Sequence, residues 1–391
     1  GSIGVKGGML INSGGLLGKE RIDFKKGIGS LLDAANSSKV DALILYNTNP
    51  LYTTPKAAKA KESLDKIPFI VSLSGFVDET TAMADLVLPA HHPLEDWGDG
   101  FASPSVGYPV ATVMQPMVSP VNNTRGLGDI FLALASKMGG GVKERFKSDS
   151  FEDYLKSGWK ELYDRNRELS AGTLGFEDFW KKMLSNGGWW REAEPRRHAA
   201  VSLKGAKQLL SSRPAAFEGN EKEYPFYLVL YPHHGFGDGR HANLPWMQEL
   251  PDPMTSVTWG SCLEVNPKTA SGLGIKEGDF VEVESPFGKI TLQAYLYPGI
   301  RPDMVAVAVG QGHTHFGRYA NNRGVNPIDI LPYKEDPRTG SVALNSTRVK
   351  LVRTDTGEKL AKTEGVTREL GRNIVQTITS EEFKKMGKEV M

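Results

Sequence analysis

At 391 residues the chain is long for a single domain, and two or more are expected. Charged residues make up 24% and the net charge is +1, a balance with no basic stripe for nucleic acid, and no apolar run reaches the about 18 residues of a membrane helix. The one cysteine, Cys262, excludes an internal disulfide and an iron–sulfur cluster held by this chain alone, which takes about four thiolates.

The first residues, Gly1-Ser2-Ile3-Gly4-Val5-Lys6-Gly7-Gly8, have neither an initiator Met nor a signal peptide. They read either as a cleavage scar or as sequence from inside a longer polypeptide. Residues 1–145 then alternate strand and helix signals. Val40–Tyr46 is a short buried strand, Asn47-Thr48-Asn49-Pro50 a turn, and Lys56–Leu64 a short helix. Pro68–Leu73 is a second buried strand. Asp78-Glu79-Thr80 opens a helix with its acids at the positive end of the dipole, and Ala84–Pro89 is a third strand. This order predicts a parallel sheet with crossover helices. Such sheets bind ligands at the carboxyl ends of their strands, here Asn47–Pro50, Ser72–Asp78 and Pro89–Trp97. A helical pattern over Asn122–Gly140 closes the segment.

Residues 146–223 are rich in Lys, Glu, Arg and Trp and read as short amphipathic helices, a helical insertion or linker. Trp189 and Trp190 are core or interface anchors. From residue 224 the pattern turns to strands: Phe226–Leu230, Ser261–Val265, Asp279–Glu284, Lys289–Tyr297 and Met304–Val309. Tight turns such as Glu277-Gly278-Asp279 and Ser285-Pro286-Phe287-Gly288 separate them, and a one-turn helix lies at Thr269–Leu273. Many short strands with tight turns predict a small barrel, here over residues 224–354. Residues 355–391 form a charged tail.

The most informative stretch is residues 310–326. The continuous apolar strand Met304–Val309 runs into a loop where His313, Arg318, Asn321, Asn322 and Asn326 are interleaved with Gly310, Gly312, Gly317 and Gly324. Glycines let backbone N–H groups approach an anion closely, and a guanidinium suits bidentate phosphate contact; the alternative is a structural loop with incidental polar residues. The pairs His91-His92 and His233-His234 lack the spacing of a zinc site and read as cleft-lining residues. Glu95 and Asp99, flanking Trp97, are expected in ion pairs, with proton relay as the alternative, and Cys262 is expected as a small buried core residue.

Several stretches together resemble one family. Asn266-Pro267, Ala270, Leu273-Gly274-Ile275, Gly278-Asp279, Val281, Val283, Ser285-Pro286 and Gly288 are similar to the C-terminal domain of molybdopterin oxidoreductases. Gly310-Gln311-Gly312-His313, Phe316-Gly317-Arg318-Tyr319-Ala320 and Gly324-Val325-Asn326-Pro327 resemble that domain's loop against the pterin. Asn49-Pro50, Asp78-Glu79-Thr80, Ala84–Pro89 and Leu94-Glu95 resemble the family's third domain. His233-His234 and Asn243-Leu244-Pro245-Trp246 resemble the entry to the barrel. The resemblance covers residues 1–140 and 224–352, and its specificity lies in the order and spacing of the motifs.

The resemblance implies an α/β fold: a parallel-sheet Rossmann-like domain, the helical insertion, then a double-psi β-barrel. It implies a molybdopterin guanine dinucleotide cofactor contacted by Asn47, Thr48, Asn49, Asp78, His234, Gln311, Gly312, His313, Arg318, Asn322 and Asn326. The Asn47–Asn49 turn would meet the pyrophosphate, or is an ordinary Asn-Pro turn. Asp78 would take the guanine amino group, or caps a helix. The family implies that this chain is the C-terminal half of a large subunit. The iron–sulfur cluster and the metal-ligating side chain would then lie in the other half or in partner subunits, and this chain alone would not be catalytic. Trp97-Gly98-Asp99 and the His-x-x-Phe-Gly-Arg-Tyr-Ala form resemble the branch of polysulfide, thiosulfate and tetrathionate reductases, menaquinone reductase and alternative complex III. That branch implies a membrane-associated respiratory complex on the periplasmic side of the bacterial inner membrane. Its partners would be a ferredoxin-like iron–sulfur subunit and a quinone-interacting membrane subunit, with a multihaem cytochrome c as a further candidate. It also implies an alternative, a cofactor-free structural subunit of the menaquinone reductase or alternative complex III type.

Overall fold

The computed structural model describes residues 27–101, 110–165, 169, 172–190, 216–336, 340–357 and 360–362. The described residues fall into two compact units. One lies within Gly1–Thr54, Ala58–Ala216 and Tyr333–Ala343, the other within Pro55–Ala57, Phe217–Pro332 and Leu344–Met391. The N-terminal segment, the stretch 191–215 and the tail beyond Lys362 lie outside the described residues.

The first unit opens with α1 (Ile28–Asn36), β1 (Leu43–Leu45), α2 (Pro50–Thr53), α3 (Ala60–Leu64), β2 (Ile70–Ser72) and β3 (Leu86–Val87). The three strands form a parallel sheet in the order β1-β2-β3, as the alternating signals predict. Only β2 is buried along its whole length. In β1 only Leu45 is buried, and Ile44 is 41% exposed, so the expectation of a fully buried strand over Val40–Tyr46 is too generous. Both residues of β3 are exposed, which fits its place at the sheet edge. The helix expected over Lys56–Leu64 is two pieces, a 3-10 turn at Lys56–Ala58 and α3, because Lys59 takes φ +51° between them. Leu32, Leu45, Leu64, Ile67 and Ile70 make the core between sheet and helices.

The same unit holds a second sheet that the sequence pattern did not reveal. It comprises β4 (Gly98–Phe101), β5 (Val110–Met114) and, after α4 (Leu127–Met138), α5 (Gly140–Arg145), α6 (Phe151–Arg165) and α7 (Phe176–Asn186), β6 (Gly188–Trp190). All pairings are antiparallel, and Ala111 lies opposite Trp189. The expected helical insertion therefore also contains a strand among its described residues. Trp159, Phe179, Trp180 and Met183 from α6 and α7 pack on Ala111 and Val113 of this sheet, with Trp189 at the margin and Trp190 52% exposed.

The second unit is a closed six-stranded barrel. Its elements are β7 (Phe226–Pro232), α8 (Pro245–Glu249), β8 (Cys262–Val265), α9 (Pro267–Gly272), β9 (Phe280–Ser285), β10 (Gly288–Leu296), β11 (Met304–Val309) and β12 (Arg348–Asp355). The order around the barrel is β10-β8-β11-β7-β12-β9. Two pairs, β7 with β11 and β8 with β10, are parallel and the other contacts antiparallel, the double-psi arrangement. Alternation fills the interior: Leu228 and Leu230, Leu263 and Val265, Val281 and Val283, Leu292 and Ala294, Val305 and Val307, Val349 and Leu351 all point inward. β12 closes the barrel and is the strand that the turn signals missed. Asn266 caps α9 by accepting from the Lys268 N–H at 2.9 Å, and Pro267 occupies the first turn.

Candidate functional site

The barrel's inner rhythm decides what faces outward. With Leu263 and Val265 inside, Cys262 and Glu264 lie on the outer face. Cys262 is half-buried there, so its expected place in the core is corrected. Burial, with Glu264 nearby, pushes its thiol up to about 12, which leaves it protonated and unreactive. Glu264 stands opposite Ala306 of β11, and Tyr231 of β7 opposite Ala308, so two small side chains leave room above β11. The Tyr231 hydroxyl donates a hydrogen bond to Glu264 across that space.

Burial is the main force that raises the Glu264 carboxyl, Asp252 adds to it, and the Tyr231 bond partly offsets it. The folded state thus binds this proton more tightly than the unfolded chain. Its penalty appears as pH rises from the ordinary carboxylate value through the raised one, so stability falls across that window. Glu264→Gln keeps an acceptor for Tyr231 and removes the charge. Melting temperatures measured from pH 4 to pH 8 should show a flatter profile for the variant and a gain over the parent at the upper end.

The glycine loop leaves β11 at Val309, whose carbonyl accepts from the His233 N–H at 3.2 Å, so the turn after β7 borders it. Gly312 has φ +86°, and a Cβ built there would lie 2.0 Å from the Asn326 nitrogen. The two ends of the loop therefore meet backbone to backbone. The Gly312 N–H donates to the Arg323 carbonyl at 2.6 Å and the Asn322 N–H to the His313 carbonyl at 2.8 Å. The Asn321 side chain accepts from the Phe316 N–H at 2.5 Å. A compact loop closed by its own hydrogen bonds results.

Six of the expected site residues sit on this loop, and they divide by direction. Gln311, His313 and Asn326 are buried. Gln311 pairs with Gln248, the His313 Nε2 lies 3.2 Å from the Gly239 carbonyl, and the ring of His313 stacks on Phe316 at 4.8 Å. Asn326 caps the short helix Pro327–Ile330 by accepting from the Ile328 N–H. Arg318 and Asn322 are exposed, and Gly312 contributes backbone alone. Arg318 donates to the Tyr319 hydroxyl and stacks on that ring at 4.6 Å. Arg323 lies over Trp259 at 5.2 Å. The loop has no acidic residue, and neither guanidinium has a carboxylate partner among the described residues. Two cations held by aromatic rings and left without counter-charge suit a phosphate-bearing ligand.

His234 is exposed beside half-buried His233. The His233 Nδ1 accepts from the N–H groups of Gly235 and Phe236, which makes that ring neutral, and burial lowers its pKa further. In the first unit, Asn47 and Thr48 are exposed at the end of β1, with Asn47 at φ +48°. Asn49 is turned inward: its Oδ1 accepts from the Thr80 hydroxyl at 2.7 Å and its Nδ2 donates to Glu79 at 2.6 Å. Asp78 is 4% exposed and accepts from the Thr81 N–H at 2.7 Å, holding the 3-10 turn Thr81–Met83. Burial raises its carboxyl. His92 caps the turn Pro93–Glu95 and the His91 Nδ1 lies 2.7 Å from the Thr124 hydroxyl. The ion pair expected of Glu95 is replaced by backbone bonds from Val121 and His92, which hold its pKa down. Asp99 has no basic partner among the described residues.

Sequence reading missed Gln248. It lies in the short run Pro245-Trp246-Met247-Gln248-Glu249, and no local pattern there separates an inward amide from a solvated one.

Comparisons with known proteins place this geometry. The model described as "Molybdopterin oxidoreductase" matches residues 2–137, and that described as "Molydopterin dinucleotide binding domain" matches residues 246–348. The chain is 26% identical to the menaquinone reductase, molybdopterin-binding-like subunit of Nitratidesulfovibrio vulgaris, over 80% of this chain and 41% of that protein. It is 27% identical to the arsenate respiratory reductase molybdopterin-containing subunit of Chrysiogenes arsenatis, over 81% and 46%. With the thiosulfate reductase molybdopterin-containing subunit of Salmonella typhimurium the identity is 24%, over 81% and 44%. Among solved structures, acetylene hydratase from Pelobacter acetylenicus shares the fold, with a TM-score of 0.60 and 18% identity over 83% of this chain and 46% of that one. The chain spans less than half the length of these relatives.

Proposed function

We propose, since the chain belongs to the molybdopterin oxidoreductase family, that it forms one wall of a molybdopterin guanine dinucleotide site in the large subunit of a respiratory oxidoreductase. The observation that carries this is the acid-free loop 310–326 with two guanidinium groups that have no carboxylate partner among the described residues. The residues fit the group. Arg318, with Asn322 and His234, would bind its phosphates and pterin from the exposed side. The inward residues Gln311, His313 and Asn326, with the Gly312 backbone, would hold the loop in shape. In the other unit, Asn47 and Thr48 would contact the dinucleotide, with Asn49 and Asp78 bracing the strand ends behind them. When bound, the cofactor supplies two-electron transfer at its metal. The chain's own residues bind it, orient it and set its electrostatic surroundings.

The relatives' names, menaquinone reductase, arsenate respiratory reductase and thiosulfate reductase, support a place in a respiratory chain. In this reading the subunit works with a ferredoxin-like iron–sulfur subunit and a quinone-interacting membrane subunit, on the periplasmic face of the inner membrane. Among the described residues no helix is long and apolar enough to cross a membrane. A second reading, a cofactor-free scaffold, is favoured by a different observation. Gln311, His313, Asn326, Asn49 and Asp78 all spend side-chain bonds on the protein itself.

Elemental mass spectrometry for molybdenum and tungsten on the purified native assembly, with guanine nucleotide released by acid, separates the two. The first reading expects about one metal and two nucleotides per large subunit. Absence of both in a fully assembled complex would overturn it and leave the scaffold.

A further inference from the structure

Residues 239–248 grip the glycine loop at three points. The Gly239 carbonyl lies 3.2 Å from the His313 Nε2. The Asn243 Oδ1 accepts from the Tyr319 N–H at 3.2 Å, and the Asn243 side chain fills the space where a Cβ on Gly317 would sit. The third grip is an amide pair. The Gln311 Nε2 donates to the Gln248 Oε1 at 2.8 Å, and the Gln248 Nε2 donates back to the Gln311 Oε1 at 3.3 Å. The same Gln248 Nε2 also donates to the Ala242 carbonyl at 2.7 Å, which ties the amide to the segment's own backbone. Gln248 is fully buried and Gln311 is 3% exposed.

We infer that Gln248 is a positioning residue for the cofactor loop: through Gln311 it sets the direction in which the loop displays Arg318 and Asn322. This rests on the reading of that loop as a cofactor wall. Gln311 stands between Gly310 at φ +118° and Gly312 at φ +86°, two positions where the backbone is otherwise free to swing. The side chain between them is therefore the natural point at which to fix the loop's exit from β11. A buried carboxamide has two donors and an acceptor to satisfy, so it tolerates one orientation of its partner and penalises others. An apolar pair of the same shape would be nearly neutral for stability. What the amide pair adds over an apolar pair is direction. Its partners lie 63 residues apart in the chain, so it joins the α8 segment to the loop and not to a sequence neighbour.

The test uses the native assembly carrying Gln248→Met, Gln311→Met, the double variant, or Gln311→Glu. Hydrogen–deuterium exchange reads the amides of residues 312–323 against those of the barrel strands, and bound guanine nucleotide is measured alongside. The expected result for Gln248→Met is a loss of protection of about tenfold or more in the loop, as the bonds to Gln311 and the Ala242 carbonyl are lost, with β7–β12 much less affected and the melting temperature recovered in the double variant, where no buried amide is left unpaired. Nucleotide retention should fall with it. Gln311→Glu should lose loop protection at pH 8 and regain it at pH 5, where a protonated carboxyl again donates to Gln248. Unchanged loop protection in Gln248→Met would overturn the inference. So would an equal loss in the barrel strands, which marks a residue that merely holds the fold. If the parent assembly carries no nucleotide, the cofactor reading falls by itself, and the exchange data still decide whether Gln248 positions the loop.

Discussion

Gly312→Ala should destabilise the barrel unit by about 3 kcal/mol or more, the sum of backbone strain and a forced displacement. At φ +86° an L-residue is strained whatever space surrounds it. Here there is also no space: the new Cβ would lie 2.0 Å from the Asn326 nitrogen and 2.3 Å from the Val325 carbonyl carbon. Both obstacles are backbone, so no rotamer change relieves them. The loop has to open, and it takes with it the Gly312 bond to the Arg323 carbonyl. Urea unfolding of the variant should show a clearly lower midpoint. Guanine nucleotide, where the parent retains it, should be lost. Gly272→Ala is the matched control. Gly272 ends α9, has no positive φ, and has nothing within 4 Å of a built Cβ. It should be neutral or slightly stabilising. Equal midpoints for Gly312→Ala and the parent would show that the two ends of the loop do not meet as described.

Leu263→Ala should cost about 3 to 4 kcal/mol, the range for a leucine removed from a core that cannot collapse around the gap. Leu263 is fully buried at the middle of the barrel interior, and its strand β8 is held on both sides, by β10 and by β11. A closed barrel has no free edge through which strands can shift inward, so most of the cavity persists. The adjacent Cys262→Ala, on the outer face, should cost about 1 kcal/mol or less, since only a half-buried thiol is lost. The pair of midpoints reads the strand's alternation directly. A larger loss at Cys262 than at Leu263 would mean that β8 is set one residue out of register.

Part of this protein was legible in its sequence because the signals are local. The Val-rich run Met304–Val309, flanked by turn residues, is a buried strand on its own terms, and its three valines, Val305, Val307 and Val309, all lie in the core. The order strand, helix, strand in the first segment was enough for the parallel sheet β1-β2-β3. Glycines between polar residues marked the loop 310–326 as the place where backbone comes close to something. Of the two roles the sequence leaves open for Asp78, its bond from the Thr81 N–H fits the local, structural one.

What stayed hidden depends on partners distant in the chain. β6 exists because Gly188–Trp190 pairs with β5, and a three-residue strand after a helix carries no period of its own. β12 is charged along its outward face and gains its place only by closing the barrel between β7 and β9. The direction of each polar side chain in the loop was likewise undecided. His313 and Arg318 look alike as candidate ligands in sequence, yet one is drawn inward by the Gly239 carbonyl and the other is left outside on Tyr319. Composition and periodicity determined the elements with a local signal, and the order of the quoted motifs carried the family resemblance. Only the tertiary structure decided which donors are spent within the protein and which remain for a ligand, because a hydrogen bond's partner is chosen by proximity in space and not along the chain.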